Sequence, residues 1–152
     1  MDVERDVTVV VKTFERPEAL KRLLASVRRL YERVQIVVVD DSGQRLDPVP
    51  SKIATYVHEP YNTVGAAGGR NLGLRHVETP YVLVCDDDMV FERRTDLGRM
   101  LHALESTSFD VVPCVWLDFD PAQLTGSPSS MSSTSSSSPP GSGWARTRGI
   151  PT

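Results

Sequence analysis

Only two cysteines occur in the 152 residues, Cys85 and Cys114. That is too few for a disulfide framework or a zinc set. No apolar run approaches the roughly 18 residues that a membrane-spanning helix needs. No charged segment followed by an apolar stretch opens the chain, so no signal peptide is expected and the chain reads as soluble. There is no excess of base: 17 Lys and Arg stand against 20 Asp and Glu, a net charge of -3. A basic stripe of the kind that grips duplex DNA is therefore missing, and no nucleic-acid partner is expected. His58, His76 and His102 lack metal-ligand spacing. Ser42 lacks the Gly-x-Ser-x-Gly elbow of serine hydrolases. No internal repeat is found.

What is present divides in two. Hydrophobic residues make up 39% of the chain, enough to exclude disorder throughout. Residues 126–143, however, read GSPSSMSSTSSSSPPGSG, with ten serines in 18 positions. Such a stretch buries too little apolar surface to offset chain entropy. The expected division is a folded unit over residues 1–120 and a disordered Ser/Pro/Gly-rich tail over 121–152.

In the folded part, strands and helices alternate. Val7–Val11 and Gln35–Val39 are short apolar runs typical of buried parallel strands. Tyr81–Cys85 is another, with Cys85 buried as a small hydrophobe. Ala54–Glu59 is a weaker strand. Leu20, Leu23, Leu24, Val27, Leu30 and Tyr31 recur at helical spacing behind Pro17, predicting a helix over 17–32. Gly65–Arg70 reads as a glycine-rich loop, with a short helix over Asn71–Val77. Leu97, Met100, Leu101 and Leu104 mark a last helix, and Val111–Leu117 a final strand weakened by Pro113. The alternation predicts an α/β fold with a mostly parallel sheet.

In such sheets ligands bind beyond the carboxyl ends of strands, where strand order reverses. Three strands end in polar clusters: Lys12–Arg16, Asp40–Ser42 and Asp86–Asp88. The adjacent carboxylates Asp86, Asp87 and Asp88 repel one another, and a hard cation such as Mg²⁺ or Mn²⁺ relieves that. Along an extended backbone Asp86 and Asp88 share a side, and Asp87 faces away. The glycines of residues 62–71, NTVGAAGGRN, allow close backbone approach to a ligand, a following helix N-terminus favours an anion, and Arg70 can grip a diphosphate in bidentate fashion. Asp40 and Asp41 can hydrogen-bond a ribose or a base, or simply form the turn.

Taken together, VVKTFERPEALKRLLASVRRLY, VVVDDS, GAAGGRNLGL and YVLVCDDDMVF resemble the nucleotide-sugar-binding half of a family 2 GT-A glycosyltransferase. More narrowly they are similar to the β-1,4-N-acetylgalactosaminyltransferases. The resemblance spans residues 6–112 and implies a Rossmann-like fold for nucleotide-diphospho-sugars. It implies that Thr13, Phe14, Glu15 and Arg16 line a uridine pocket and that Asp40 and Asp41 contact uracil or ribose. Gly69, Arg70 and Asn71 would lie beside the diphosphate. Asp86, Asp87 and Asp88 would form a DxD motif, with Asp86 and Asp88 holding Mn²⁺ or Mg²⁺ and Asp86 and Asp87 also near the nucleotide. The implied reaction is inverting transfer from a UDP-sugar, UDP-GalNAc in the narrower resemblance, onto a glycan or glycolipid acceptor, in the Golgi.

Family members continue for about a hundred residues beyond the acidic motif, with acceptor recognition, an Asp or Glu base and often a late histidine. Here the likeness fades at 113–120, and Asp118 and Asp120 come too early to be assigned as base. The expectation is therefore a truncated GT-A unit. One alternative is a nucleotide-binding remnant without turnover. A remoter one is a haloacid dehalogenase-type phosphatase with Asp86 as nucleophile and Asp88 as acid.

Overall fold

The computed structural model describes residues 2–46, 55–113 and 143–146. A short helix α1 (Val3–Asp6) leads into β1 (Val7–Thr13), followed by α2 (Pro17–Leu30), β2 (Gln35–Asp40) and β3 (Thr55–His58). Then come α3 (Gly65–Leu74), β4 (Tyr81–Asp86), α4 (Leu97–Ser106), β5 (Val111–Pro113) and β6 (Gly143–Arg146). The strands form one sheet in the order β3-β2-β1-β4-β6-β5. The four strands β3, β2, β1 and β4 run parallel. β6 pairs antiparallel with both β4 and β5. The expected α/β fold with a mostly parallel sheet is what forms.

Period-two alternation divides each strand between two layers. Val7, Val9 and Val11 of β1 face the larger core, with Leu20, Leu23, Leu24 and Val27 of α2 and Leu97, Leu101 and Leu104 of α4. Val10, with Val37 and Val82, faces the opposite side, against Leu74 at the end of α3. Covering both faces is why β1 and β2 read as unbroken apolar runs. Each such fully buried Val or Leu contributes about 1.5–3 kcal/mol. α2 begins at Pro17, which needs no N–H partner in the first turn. The Tyr31 hydroxyl just beyond α2 accepts from Leu97 N and donates to Thr95 O, both at 2.9 Å. That joins the end of α2 to the start of α4, where Asp96 caps Arg99 N at 2.9 Å.

Two segments differ from the sequence reading. Gly65–Arg70 is not a loop: α3 starts at Gly65 and runs to Leu74. Gly69 and Gly73 lie where the helix presses on the sheet. A Cβ at Gly73 would stand 2.5 Å from Val10 Cγ1, and one at Gly69 would stand 2.2 Å from Lys12 Cδ. Close packing thus offsets the helix penalty of glycine, which is about 1 kcal/mol per residue. Gly73→Ala is expected to destabilise the chain by about 1–3 kcal/mol through overpacking. Urea unfolding measures this, and an unchanged midpoint would disprove the close packing.

The second is Gly143–Arg146, within the stretch read as a disordered tail. These residues form β6, in register with Tyr81–Leu83 on one side and Val111–Pro113 on the other. Backbone pairing on both sides places them, and four residues are too few to show an apolar period. The rest of 121–152 and residues 114–120, with Cys114, Asp118 and Asp120, lie outside the described residues. Among the described residues no helix is long and apolar enough to cross a membrane.

Candidate functional site

β1 to β3 advance in one direction across the sheet, and β4 then lies on the other side of β1. Strand order therefore reverses beside β1, and a cavity of about 390 Å³ opens at the carboxyl ends there. Lys12, Thr13, Phe14 and Arg16 line it from the end of β1. Asp41 lines it from the end of β2, and Asn62, Gly65, Ala66 and Arg70 from the loop before α3 and from α3 itself. Asp86, Asp87 and Asp88 complete it from the end of β4.

The cavity floor is a buried ion pair. Lys12 Nζ donates to Asp41 Oδ1 and, at 2.6 Å, to the Thr13 carbonyl. The side chains are 8% and 1% exposed. Asp41 Oδ2 accepts from the backbone N–H of Val64 at 3.2 Å and of Gly65 at 3.3 Å. Burial alone would raise the Asp41 carboxyl, but the bonds from Lys12, Val64 and Gly65 outweigh it and hold it below the ordinary value. α3 has no capping side chain of its own, so a carboxylate from β2 occupies its N-terminus.

At the opposite wall every acid has a partner. Thr13 Oγ1 donates to Asp87 Oδ2 at 2.7 Å. Arg16 Nη1 reaches Asp88 Oδ2 at 3.1 Å and Asp87 Oδ1 at 3.4 Å. Arg70 Nη2 donates to Asp86 Oδ1, while Arg70 Nε is buried without a hydrogen-bond partner. β4 ends at Asp86, and Asp87 and Asp88 belong to a turn. The strand alternation therefore stops there, and Asp87, expected to face away, lines the cavity and is buried.

This cavity belongs to a recognisable line of proteins. A family model described as glycosyl transferase family 2 matches residues 8–147. The chain belongs to glycosyl transferase family 2. Mouse beta-1,4 N-acetylgalactosaminyltransferase 2 is 40% identical over 106 residues, covering 70% of this chain and 20% of that protein. The family 2 chain thus spans about a fifth of the length of the curated relatives first matched. Among solved structures, the mannosyltransferase PcManGT from Pyrobaculum calidifontis, in complex with GDP-Man and Mn²⁺, is 26% identical. It superposes with a TM-score of 0.60 over 72% of this chain and 35% of its own. S. aureus TarS 1–349 in complex with UDP-GlcNAc has a TM-score of 0.57 at 24% identity, over 70% of this chain and 33% of that one. These likenesses establish the GT-A fold for the family 2 chain.

Of the residues expected at a donor site in this family 2 chain, Thr13, Phe14, Arg16, Asp41, Arg70, Asp86, Asp87 and Asp88 line the cavity. Glu15, Asp40, Gly69 and Asn71 do not line it. Asp40 is turned inward: its Oδ1 accepts from Ser42 N at 2.9 Å and from Ser42 Oγ, and its Oδ2 from the Tyr56 hydroxyl. Burial and that bond to Asp40 push the Tyr56 hydroxyl up to about 12. Glu15, at φ 54°, accepts from Gly43 N at 2.7 Å, and its own N–H donates to Ser42 Oγ at 2.7 Å. Asp40 and Glu15 thus lock the loops after β1 and β2 together. Gly69 gives room to the Lys12 stem, and Asn71 is exposed on α3. Lys12, from the polar cluster after β1, and Asn62, Gly65 and Ala66, from the glycine-rich segment, also line the cavity, though none of them has an individual role from sequence. A lysine inside an apolar strand was the available signal for Lys12, because such a charge demands a buried partner.

The carboxylates offer hard oxygen donors suited to Mg²⁺ or Mn²⁺. Among the described residues no group of three His, Cys, Asp or Glu is arranged to hold an ion. A cation held by Asp86 and Asp88 would need its remaining ligands from a diphosphate or water.

Proposed function

We infer that this family 2 chain forms the donor site of an inverting, metal-dependent glycosyltransferase that uses a UDP-sugar. One observation carries the reading: the cavity lining sets Lys12, Arg16 and Arg70 against Asp41, Asp86, Asp87 and Asp88. That leaves one net negative charge. A diphosphate alone has little to gain there, whereas a diphosphate entering with a divalent cation meets both signs of charge. Asp86 and Asp88 would hold the cation, and Arg16 and Arg70 the diphosphate oxygens. A bound cation neutralises the leaving diphosphate. Thr13 fixes Asp87, and the Lys12–Asp41 pair fixes the start of α3, which carries Arg70. Phe14 offers the nucleobase a ring.

Relatives named as beta-1,4 N-acetylgalactosaminyltransferases, at 40% identity and above, support N-acetylgalactosamine as the sugar transferred. UDP-GalNAc as its donor, a glycan or glycolipid as the acceptor and a Golgi setting follow from the family resemblance. The matched mannosyltransferase, solved with GDP-Man and Mn²⁺, supports the metal. Family membership sets the phosphatase alternative aside. The base and the acceptor site are assigned to no residue, and donor binding without turnover is the second reading.

Calorimetric titration of UDP into the chain, with Mn²⁺ and then with EDTA, tests the proposal. Affinity is expected to be at least about tenfold tighter with Mn²⁺, or about 1.4 kcal/mol. A folded chain that binds no UDP under either condition would refute it.

A further inference from the structure

We propose that Tyr61 is a nucleobase-binding residue that pairs with Phe14 to select a nucleoside diphosphate over a bare diphosphate; this rests on the donor-site reading above. Tyr61 is 63% exposed, so its ring is open to a ligand. Its ring centroid lies 5.5 Å from that of Phe14, tilted by 43°. Phe14 lines the cavity, as does Asn62, the neighbour of Tyr61. Tyr61 stands beside the cavity through its contact with Phe14, and apart from Phe14 the lining is charged or polar except for Gly65 and Ala66. A flat heteroaromatic base gains most against an aromatic face.

The loop holds Tyr61 in place. Asn62, at φ 52°, donates its N–H to the Asp41 carbonyl at 2.9 Å, and Glu59 N donates to the Asp40 carbonyl at 2.8 Å. Thr63 N and Oγ1 both return to the Pro60 carbonyl, at 3.2 and 2.6 Å. A hydrogen-bonded loop backbone loses less freedom on binding a ligand.

Sheet order sets the ligand's direction. Tyr61 follows β3 and Phe14 follows β1, whereas the acids follow β4 on the other side of β1. A ligand with its charged end at Asp86 and Asp88 therefore extends its other end across β1 towards the β2–β3 side. That is the span of a nucleoside diphosphate. The ring face recognises the base without reading its hydrogen-bonding edge.

The test titrates UDP and inorganic pyrophosphate, each with Mn²⁺, into the unaltered chain, Tyr61→Ala and Tyr61→Phe. Thermal unfolding confirms that both variants are folded, as the exposure of Tyr61 predicts. The expected result is that Tyr61→Ala weakens UDP about tenfold, in the range of one base–aromatic stack. Pyrophosphate affinity stays unchanged, and Tyr61→Phe retains UDP because the ring makes the contact. UDP affinity unchanged in Tyr61→Ala overturns the proposal while leaving the donor-site reading intact. Equal loss of pyrophosphate, or equal loss of UDP in Tyr61→Phe, also overturns it. If the unaltered chain binds no UDP, the donor-site reading fails and this proposal with it.

Discussion

Lys12→Met is expected to lower the unfolding free energy by about 3–5 kcal/mol, because it leaves a buried carboxylate without its counter-charge. Asp41 is 1% exposed, and its remaining partners are the backbone N–H groups of Val64 and Gly65. Urea unfolding reads the loss directly. Removing both charges, as Lys12→Met with Asp41→Leu, should recover most of it, since the cost arises from the stranded charge. A loss below about 1 kcal/mol in the single variant would mean that the pair is solvated and behaves as a surface bridge. The pH dependence has a definite sign. Asp41 is held below its ordinary value in the fold, so the pair stabilises above the ordinary carboxylate range. That contribution fades as pH falls through the folded value. The gap between the unaltered chain and Lys12→Met should therefore narrow on acidification.

Replacing Asp86 and Asp88 together by Asn should weaken UDP binding in Mn²⁺ by about 100-fold, or about 2.8 kcal/mol. The same variant in EDTA should bind UDP more tightly than the unaltered chain does in EDTA. Arg70 is held by Asp86 and Arg16 most closely by Asp88, so the substitution releases Arg70 for phosphate and leaves Arg16 only its longer contact to Asp87. It also turns the cavity lining from one net negative to one net positive charge. Opposite changes in the two buffers separate this account from simple damage, which would weaken both. Equal weakening with and without metal would show that these acids support the fold of the turn and not a cation. The Arg16–Asp88 pair yields readily to a ligand, because both side chains are more than half exposed and such pairs contribute about 0–1 kcal/mol.

Much of the sheet is legible from local pattern. Val7–Val11, the 35–39 run and the Tyr81–Cys85 run are apolar because two layers cover them, and α2 shows its buried stripe in its spacing. Sequence reading fails where tertiary contact overrides propensity. Four glycines in α3 argue for a loop until the nearness of Lys12 and Val10 is seen. The acid pair after β2 shows a different difficulty. Asp40 and Asp41 are adjacent and alike, yet one turns to Ser42 and Tyr56 and the other to Lys12. Period two says that they part, but not which of them faces the cavity. The turn at Asp87 breaks the same rule beyond β4. Tyr61 carries no periodic signal, and only the placement of its loop brings it to Phe14.

The position of β6 has a consequence for the order of assembly. β5 ends at Pro113, yet its neighbour in the sheet begins at Gly143 and lies between β5 and β4. During synthesis β5 therefore leaves the ribosome before the strand that joins it to the rest. Until Gly143–Arg146 arrive, β4 keeps a free row of N–H and C=O groups along one side, an open template for any other extended chain. Pairing β6 with β4 and β5 joins residues far apart in the sequence, a non-local step rather than one set by local propensity. Among the described strands β6 is thus the latest in the chain, and it is the one that covers the open side of β4.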